Sequence, residues 1–95
     1  MQTTAETATP VSLIRSRIGS HLNGLYVVRR SPTTGEPYES FGLLALVDMT
    51  REEAYDLLGP LSAELIDHFG WSLNLDIEPG TAETVDLAPD EMMAI

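Results

Sequence analysis

Two stretches of the chain repeat apolar residues at the spacing of a helix. The first follows Thr9-Pro10, a pair that suits an N-cap and the first helical position. We expect this helix to end at Asn23-Gly24, a typical C-cap sequence. Its apolar positions, which predict one buried stripe, are Val11, Ile14, Ile18 and Leu22.

The second helical stretch covers residues 50–70. It opens with Thr50-Arg51-Glu52-Glu53, a capping box in which the Thr hydroxyl and the Glu carboxylate each accept a hydrogen bond from the other residue's backbone amide. The apolar phase persists through Pro60, so we expect one bent helix that ends at Gly70. The apolar positions are Ala54, Leu57, Leu58, Leu61, Leu65 and Phe69.

Strand patterns lie on either side of the second helix. Residues 25–30 and 38–48 flank SPTTGEP, a loop sequence that predicts a hairpin. The segment FGLLALV is apolar at consecutive positions, which indicates a central strand covered by helices. Residues 71–78 alternate between two faces. The inward set is Trp71, Leu73, Leu75 and Ile77, and the set expected to face water is Ser72, Asn74, Asp76 and Glu78.

After a turn at Pro79-Gly80, residues 84–87 fit a short final strand and residues 89–91 a last helical turn. The order α-β-β-α-β, with or without the final strand, predicts an α+β fold. We expect a two-layer sandwich of two helices on a small mixed or antiparallel sheet. The predicted organisation is a flexible arm at 1–9, one α+β domain at 10–88 and an apolar C-terminal tail at 89–95.

The charge balance is unusual: 15 acids and 5 basic residues give a net charge of −10. Such a field repels nucleic acid and anionic lipid and attracts basic proteins. We therefore expect no direct nucleic-acid binding and no membrane partner. The N-terminal region lacks a signal-peptide pattern, which predicts a cytoplasmic protein. The arginines of residues 1–35 fit ion pairs or a small anion site; they are Arg15, Arg17, Arg29 and Arg30.

Catalytic and cofactor motifs are not evident. The chain contains no cysteine and no lysine, and no serine lies in a Gly-x-Ser-x-Gly sequence. His21 and His68 lack the spacing of a zinc motif. We expect no enzyme activity, no cofactor and no metal. Acids that bracket the turn at Pro79-Gly80 leave a hard-cation site as an alternative; they are Asp76, Glu78, Glu83 and Asp86.

An acidic ridge is predicted on the second helix, opposite its apolar stripe. Glu53 and Asp67 would lie about 21 Å apart at 1.5 Å per residue. Duplex DNA carries a charge about every 1.7 Å of its axis, so such a row can imitate part of a phosphate backbone. A solvated helix face is the alternative. The predicted partner-binding residues are Glu52, Glu53, Asp56, Glu64 and Asp67, with Asp76 and Glu78 on the following strand.

Three functions fit these features. In size, charge and missing chemistry the chain resembles small acidic proteins of phages and mobile elements that block restriction or CRISPR machinery. This first hypothesis implies a non-catalytic inhibitor or nucleic-acid mimic that occupies a basic surface of a nucleic-acid-handling complex. The second is a homodimeric acidic chaperone or assembly partner, similar to secretion chaperones, with an apolar interface formed by the tail or an uncovered sheet face.

The third hypothesis is a small enzyme or ligand-binding domain whose site is formed by residues distant in sequence. The available side chains are Tyr26, Tyr38, His21, His68 and Trp71.

Overall fold

The computed structural model describes residues 9–70 and 74–95. Within them, two α-helices and a sheet of four strands form an α+β fold, which confirms the predicted class. The elements are α1 (Pro10–Ile18), a 3-10 turn (Gly19–His21), β1 (Leu22–Arg30), β2 (Pro37–Val47), α2 (Arg51–Phe69), β3 (Asn74–Pro79), a 3-10 turn (Pro89–Glu91) and β4 (Met92–Ala94).

Helix α1 begins as the sequence predicts but ends earlier. The Thr9 hydroxyl accepts a hydrogen bond from the Ser12 amide at 3.1 Å, and the Ser12 hydroxyl accepts one from the Thr9 amide at 2.9 Å. The helix stops at Gly19, whose φ of 65° favours glycine. The predicted end at Asn23-Gly24 was wrong because Leu22 already pairs with Val47 in the sheet.

Helix α2 follows the prediction at both ends. Thr50 and Glu53 form the capping box, and Gly70 closes the helix in the left-handed conformation, with φ of 72°. The helix continues through Pro60, as its apolar phase indicated. Pro60 lies on the exposed side, as does Asp56 one turn earlier. Water can therefore bind the Asp56 carbonyl that loses its helical partner.

The sheet is mixed, with strand order β3-β2-β1-β4. Strand β1 pairs with β2 and β4 in antiparallel fashion, and β3 pairs with β2 in parallel after the α2 crossover. The expectation of a final strand at residues 84–87 was wrong, because these residues form turns and bends. The fourth strand comes instead from the segment predicted as an apolar tail, which pairs with the outer edge of β1.

Residues 42–47 of β2 are buried on both faces, and two different structures cover these faces. Helices α1 and α2 cover one face, where Ile14, Leu61 and Leu65 pack on Leu43, Ala45 and Ile77. The other face is covered by residues 80–91, not by a helix as expected. Leu87 of this segment packs with Val28, Leu44 and Leu46, and Val85 and Met92 lie around it.

A large irregularity interrupts the pairing of β1 and β2. Val28 pairs with Gly42 and Arg30 pairs with Pro37, so that residues 38–41 of β2 lie opposite Arg29 alone. The Tyr38 ring occupies the space that a Cβ at residue 42 would need, which explains the glycine there. On the following strand, Leu75 and Ile77 pack into the helix-side core as predicted. The predicted inward positions Trp71 and Leu73 lie outside the described residues.

Candidate functional site

The predicted acidic ridge lies on one continuous helix, but its five carboxylates are not equivalent. Because α2 is unbroken from Arg51 to Phe69, the acids before Pro60 and the acids after it lie along one helix axis, from Glu52 to Asp67. These two residues lie about 22 Å apart at 1.5 Å per residue. The neighbours of each acid decide which of them remain free to meet a partner.

Glu64 is neutralised within the protein. The Arg17 guanidinium of α1 donates hydrogen bonds to both Glu64 oxygens, with Nε–Oε2 at 2.8 Å and Nη2–Oε1 at 2.6 Å. These bonds lower the pKa of Glu64 and raise that of Arg17. The bidentate pair joins the two helices, so Glu64 is a structural contact more than an open anion.

Glu53 serves as a helix cap. Its Oε1 accepts a hydrogen bond from the Thr50 amide at 2.9 Å and one from the Thr50 hydroxyl at 3.1 Å. The backbone bond is the main cause of its lowered pKa. Glu53 therefore stays ionised and exposed, but its carboxylate is committed to the helix N-terminus.

The remaining acids of the ridge are Glu52, Asp56 and Asp67. All three are exposed, and within residues 9–70 and 74–95 none forms a hydrogen bond or an ion pair through its side chain. Two apolar side chains accompany them on the helix surface: Tyr55 is 52% exposed and Ile66 is 51% exposed. We call these five residues the open face of α2.

Arg51 borders the open face and is already engaged. Its guanidinium carbon lies 6.0 Å from the centre of the Tyr55 ring, and its Nη1 donates to Glu78 Oε1 at 3.0 Å. The cation therefore links α2 to β3 and rests over one side of Tyr55. The carboxylates of Glu52, Asp56 and Asp67 remain without such a partner among the described residues.

Asp76 does not face open water as its alternating position predicted. It is half-buried on the sheet face opposite the helices, where Tyr38 and Ser31 donate hydroxyl hydrogen bonds to its Oδ2 at 3.3 and 3.4 Å. Burial raises the pKa of Asp76 above its ordinary value, and it also raises the pKa of Tyr38. Asp76 is shielded because Tyr38 and Ser31, from the β1–β2 hairpin, lie against its carboxylate.

Glu78 is also enclosed, with a side chain only 13% exposed. Thr33 of the hairpin loop donates to its Oε2 at 3.0 Å, while Arg51 binds its other oxygen. Asp76 and Glu78 thus tie the hairpin loop, β3 and the start of α2 together. Arg51 links Glu78 to the edge of the open face of α2, but the carboxylates of Asp76 and Glu78 are engaged within the chain and do not extend the row of free acids.

The residues of the enzyme or ligand-binding hypothesis lie on separate elements. Tyr26 and Tyr38 pack beside the core on the loop-covered face. His21 is exposed, with its Nδ1 3.1 Å from the Asp48 carbonyl oxygen, and His68 is exposed near the end of α2. Trp71 lies outside the described residues. Of the four members of this set that the structure describes, Tyr26 and Tyr38 belong to one cluster, and His21 and His68 do not.

Among the described residues, two of the four arginines of residues 1–35 form ion pairs. Besides Arg17, Arg30 forms a bidentate pair with Glu91, with Nε–Oε2 at 2.7 Å and Nη2–Oε1 at 3.0 Å. This pair lowers the pKa of Glu91 to about 2. Arg15 donates to the Ile95 carbonyl oxygen. Sequence reasoning could not assign these partners, because Arg17 and Glu64 are 47 positions apart and Arg30 and Glu91 are 61 apart.

No protein-family model matches this chain, and no curated protein or solved structure is significantly similar to it. In the part of the chain that the structure describes, no helix combines the length and apolar composition needed to cross a bilayer. Within the same residues, no three His, Asp or Glu side chains form a group that could hold a metal ion.

Proposed function

We propose that this protein is a non-catalytic, acidic protein-binding module that uses the open face of α2 to occupy a basic surface of nucleic-acid-handling machinery. In this proposal it acts as an inhibitor or decoy, of the kind that blocks restriction or CRISPR complexes. One observation carries the proposal. Glu52, Asp56 and Asp67 lie exposed along one helix, without a cationic partner in the described residues, in a chain of net charge −10.

The charge density of α2 is too low for the helix alone to imitate duplex DNA. Three open carboxylates over about 22 Å are far fewer than the phosphates along the same length of duplex DNA. We therefore expect the three carboxylates to orient the protein in a basic groove of its partner. The net charge of the whole chain supplies the long-range attraction that makes association fast. We expect the association rate to fall as salt is added, since salt screens this attraction.

Tyr55 and Ile66 add a contribution that nucleic acid itself lacks. Each is about half exposed on the same helix face as the acids, about 16 Å apart at 1.5 Å per residue. Aromatic side chains are frequent anchors in protein interfaces, where they fill apolar pockets. The proposal therefore expects a partner site that combines basic residues with an apolar pocket for Tyr55. The affinity should then fall as salt is added but should not disappear, because the apolar contact does not depend on charge.

The test compares two charge-reversed variants in affinity capture from a lysate of the natural host, followed by binding measurements on the recovered partner. The first variant is Asp56→Lys with Asp67→Lys, in the open face. The matched control is Glu36→Lys with Glu83→Lys, two exposed acids outside it. Both change the net charge equally. Glu52 is left unchanged because it lies in the first turn of α2, where the helix dipole favours an acid.

We expect the wild type and the control to retain a basic nucleic-acid-binding partner and to compete with its nucleic acid. The open-face variant should bind at least about fivefold more weakly, since the reversal of two exposed charges changes binding by about 1–3 kcal/mol. Tyr55→Ala should weaken binding at high salt as well as low salt. Equal binding by the two reversed variants contradicts the proposal, as does a partner that binds nucleic acid and this protein together.

A further inference from the structure

A second surface lies at the irregular end of the hairpin, apart from the open face of α2. It is a groove of about 910 Å³, and Val27, Phe41 and Met93 contribute apolar side chains from three different strands. Met93 pairs with Val27 across the β1–β4 ladder. Phe41 belongs to the residues displaced opposite Arg29. Phe41 is 41% exposed and Met93 is 67% exposed, so this apolar surface is open.

The groove also carries charges of both signs. Arg29, Glu39 and Asp90 are exposed around it. Among the described residues, none of the three takes part in an ion pair. The neighbouring Arg30–Glu91 pair is satisfied within the chain. The rim therefore presents an unpaired cation beside two unpaired carboxylates around an apolar floor.

This mixture of charges restricts the partner. A uniformly basic partner would oppose Arg29, and a uniformly acidic partner would oppose Glu39 and Asp90. A two-fold related copy of the chain presents the same surface in reverse, so that each cation can meet an acid and each apolar residue an apolar residue. We infer that the groove is a homodimer interface, in which Phe41 and Met93 are buried and Arg29 of one copy pairs with Glu39 of the other.

The overall charge gives this interface a salt response opposite to that of the open face of α2. Each copy carries a net charge of −10, so two copies repel each other at long range. Added salt screens this repulsion and also weakens the two Arg29–Glu39 pairs, but the repulsion dominates because it arises from ten net charges on each copy, and the apolar contact is little affected. The dimer should therefore become tighter as salt rises to about 0.5 M, where the Debye length is only about 4 Å. Binding through the open face should become weaker.

Sedimentation equilibrium of the full chain tests the inference, over concentrations from about 1 μM to about 1 mM at low and high salt. We expect a monomer–dimer equilibrium that Met93→Asp weakens at least about tenfold, since it places a charge in the apolar contact. The matched control is Ile66→Asp, which alters a comparably exposed apolar residue on α2 and should leave the equilibrium unchanged. Circular dichroism establishes that each variant is folded.

A charge exchange tests the proposed pairing. Arg29→Glu and Glu39→Arg should each weaken the dimer, because each places like charges opposite one another. The double variant Arg29→Glu, Glu39→Arg should restore it, since the pair is re-formed with its signs exchanged. A monomer at every concentration and salt overturns the inference. A dimer that tolerates Met93→Asp, or a double variant no tighter than the single ones, overturns it as well. This interface uses no residue of the open face of α2, so either proposal can fail alone.

Discussion

The loop that covers the second face of the sheet makes a stability prediction that can be worked out from the structure. Within the loop at residues 80–91, the side chain of Leu87 is buried, and it packs with Val28, Leu44 and Leu46. Leu87→Ala removes the apolar contact that holds this cover in place. Buried Leu→Ala changes cost about 2–5 kcal/mol, and a surface loop can relax toward the gap, so we expect about 2–3 kcal/mol.

For a domain of this size, 1 kcal/mol shifts the midpoint of thermal unfolding by about 4–8 °C, so Leu87→Ala should lower it by roughly 10–20 °C. The measurement is urea denaturation followed by circular dichroism, together with thermal melts. The control is Ile66→Ala, at a half-exposed position, which should change the free energy of unfolding by no more than about 0.5 kcal/mol. A cost below about 1 kcal/mol for Leu87→Ala would show that the loop contributes little to the core.

Three further predictions concern the cap and two acids. Thr50→Ala removes the N-cap of α2 and should cost about 1 kcal/mol in urea denaturation. Arg30 lowers the pKa of Glu91 to about 2, so the ionised Glu91 contributes its full stabilisation above its ordinary pKa of 4.5. The stability advantage of wild type over Glu91→Gln should therefore disappear as the pH falls from 4.5 to about 2. Urea denaturation across this pH range measures it. Asp76 has the opposite effect on stability: burial disfavours its ionised form and raises its pKa, so the ionised carboxylate destabilises the fold. Asp76→Asn should therefore raise the thermal midpoint at pH 7, by an amount that shrinks as pH falls through the raised pKa.

Elements with their own local signals were predictable from the sequence. The capping box at Thr50 and the glycine at position 70 defined both ends of α2, because capping depends on residues a few positions apart. The end of α1 was not predictable in this way. Gly19 and Gly24 both suit a C-cap, and the choice depends on the pairing of Leu22 with Val47, a contact distant in sequence. Strand β4 likewise depends on the free edge of β1.

The candidate site shows the same division. Helical spacing was enough to place the acids of α2 on one side of the helix. It could not show that Arg17 neutralises Glu64, since that partner comes from another helix. Alternation correctly separated Asp76 from Ile77, but it gives only the face of a strand and not what lies over that face. The partial burial of Asp76 against Tyr38 and Ser31, 38 and 45 positions away, therefore had no local signal.

The position of β4 has a consequence for how the chain reaches its native state. Tyr26 of β1 pairs with Ala94, 68 positions away, whereas the β1–β2 hairpin closes across a short loop. Contacts between distant residues form late because the closure of long loops costs more entropy. Strand β1, which contains Tyr26, Val27 and Val28, therefore exposes an apolar edge while the chain is still folding. Mutual repulsion between chains of net charge −10 opposes pairing between such edges during that interval.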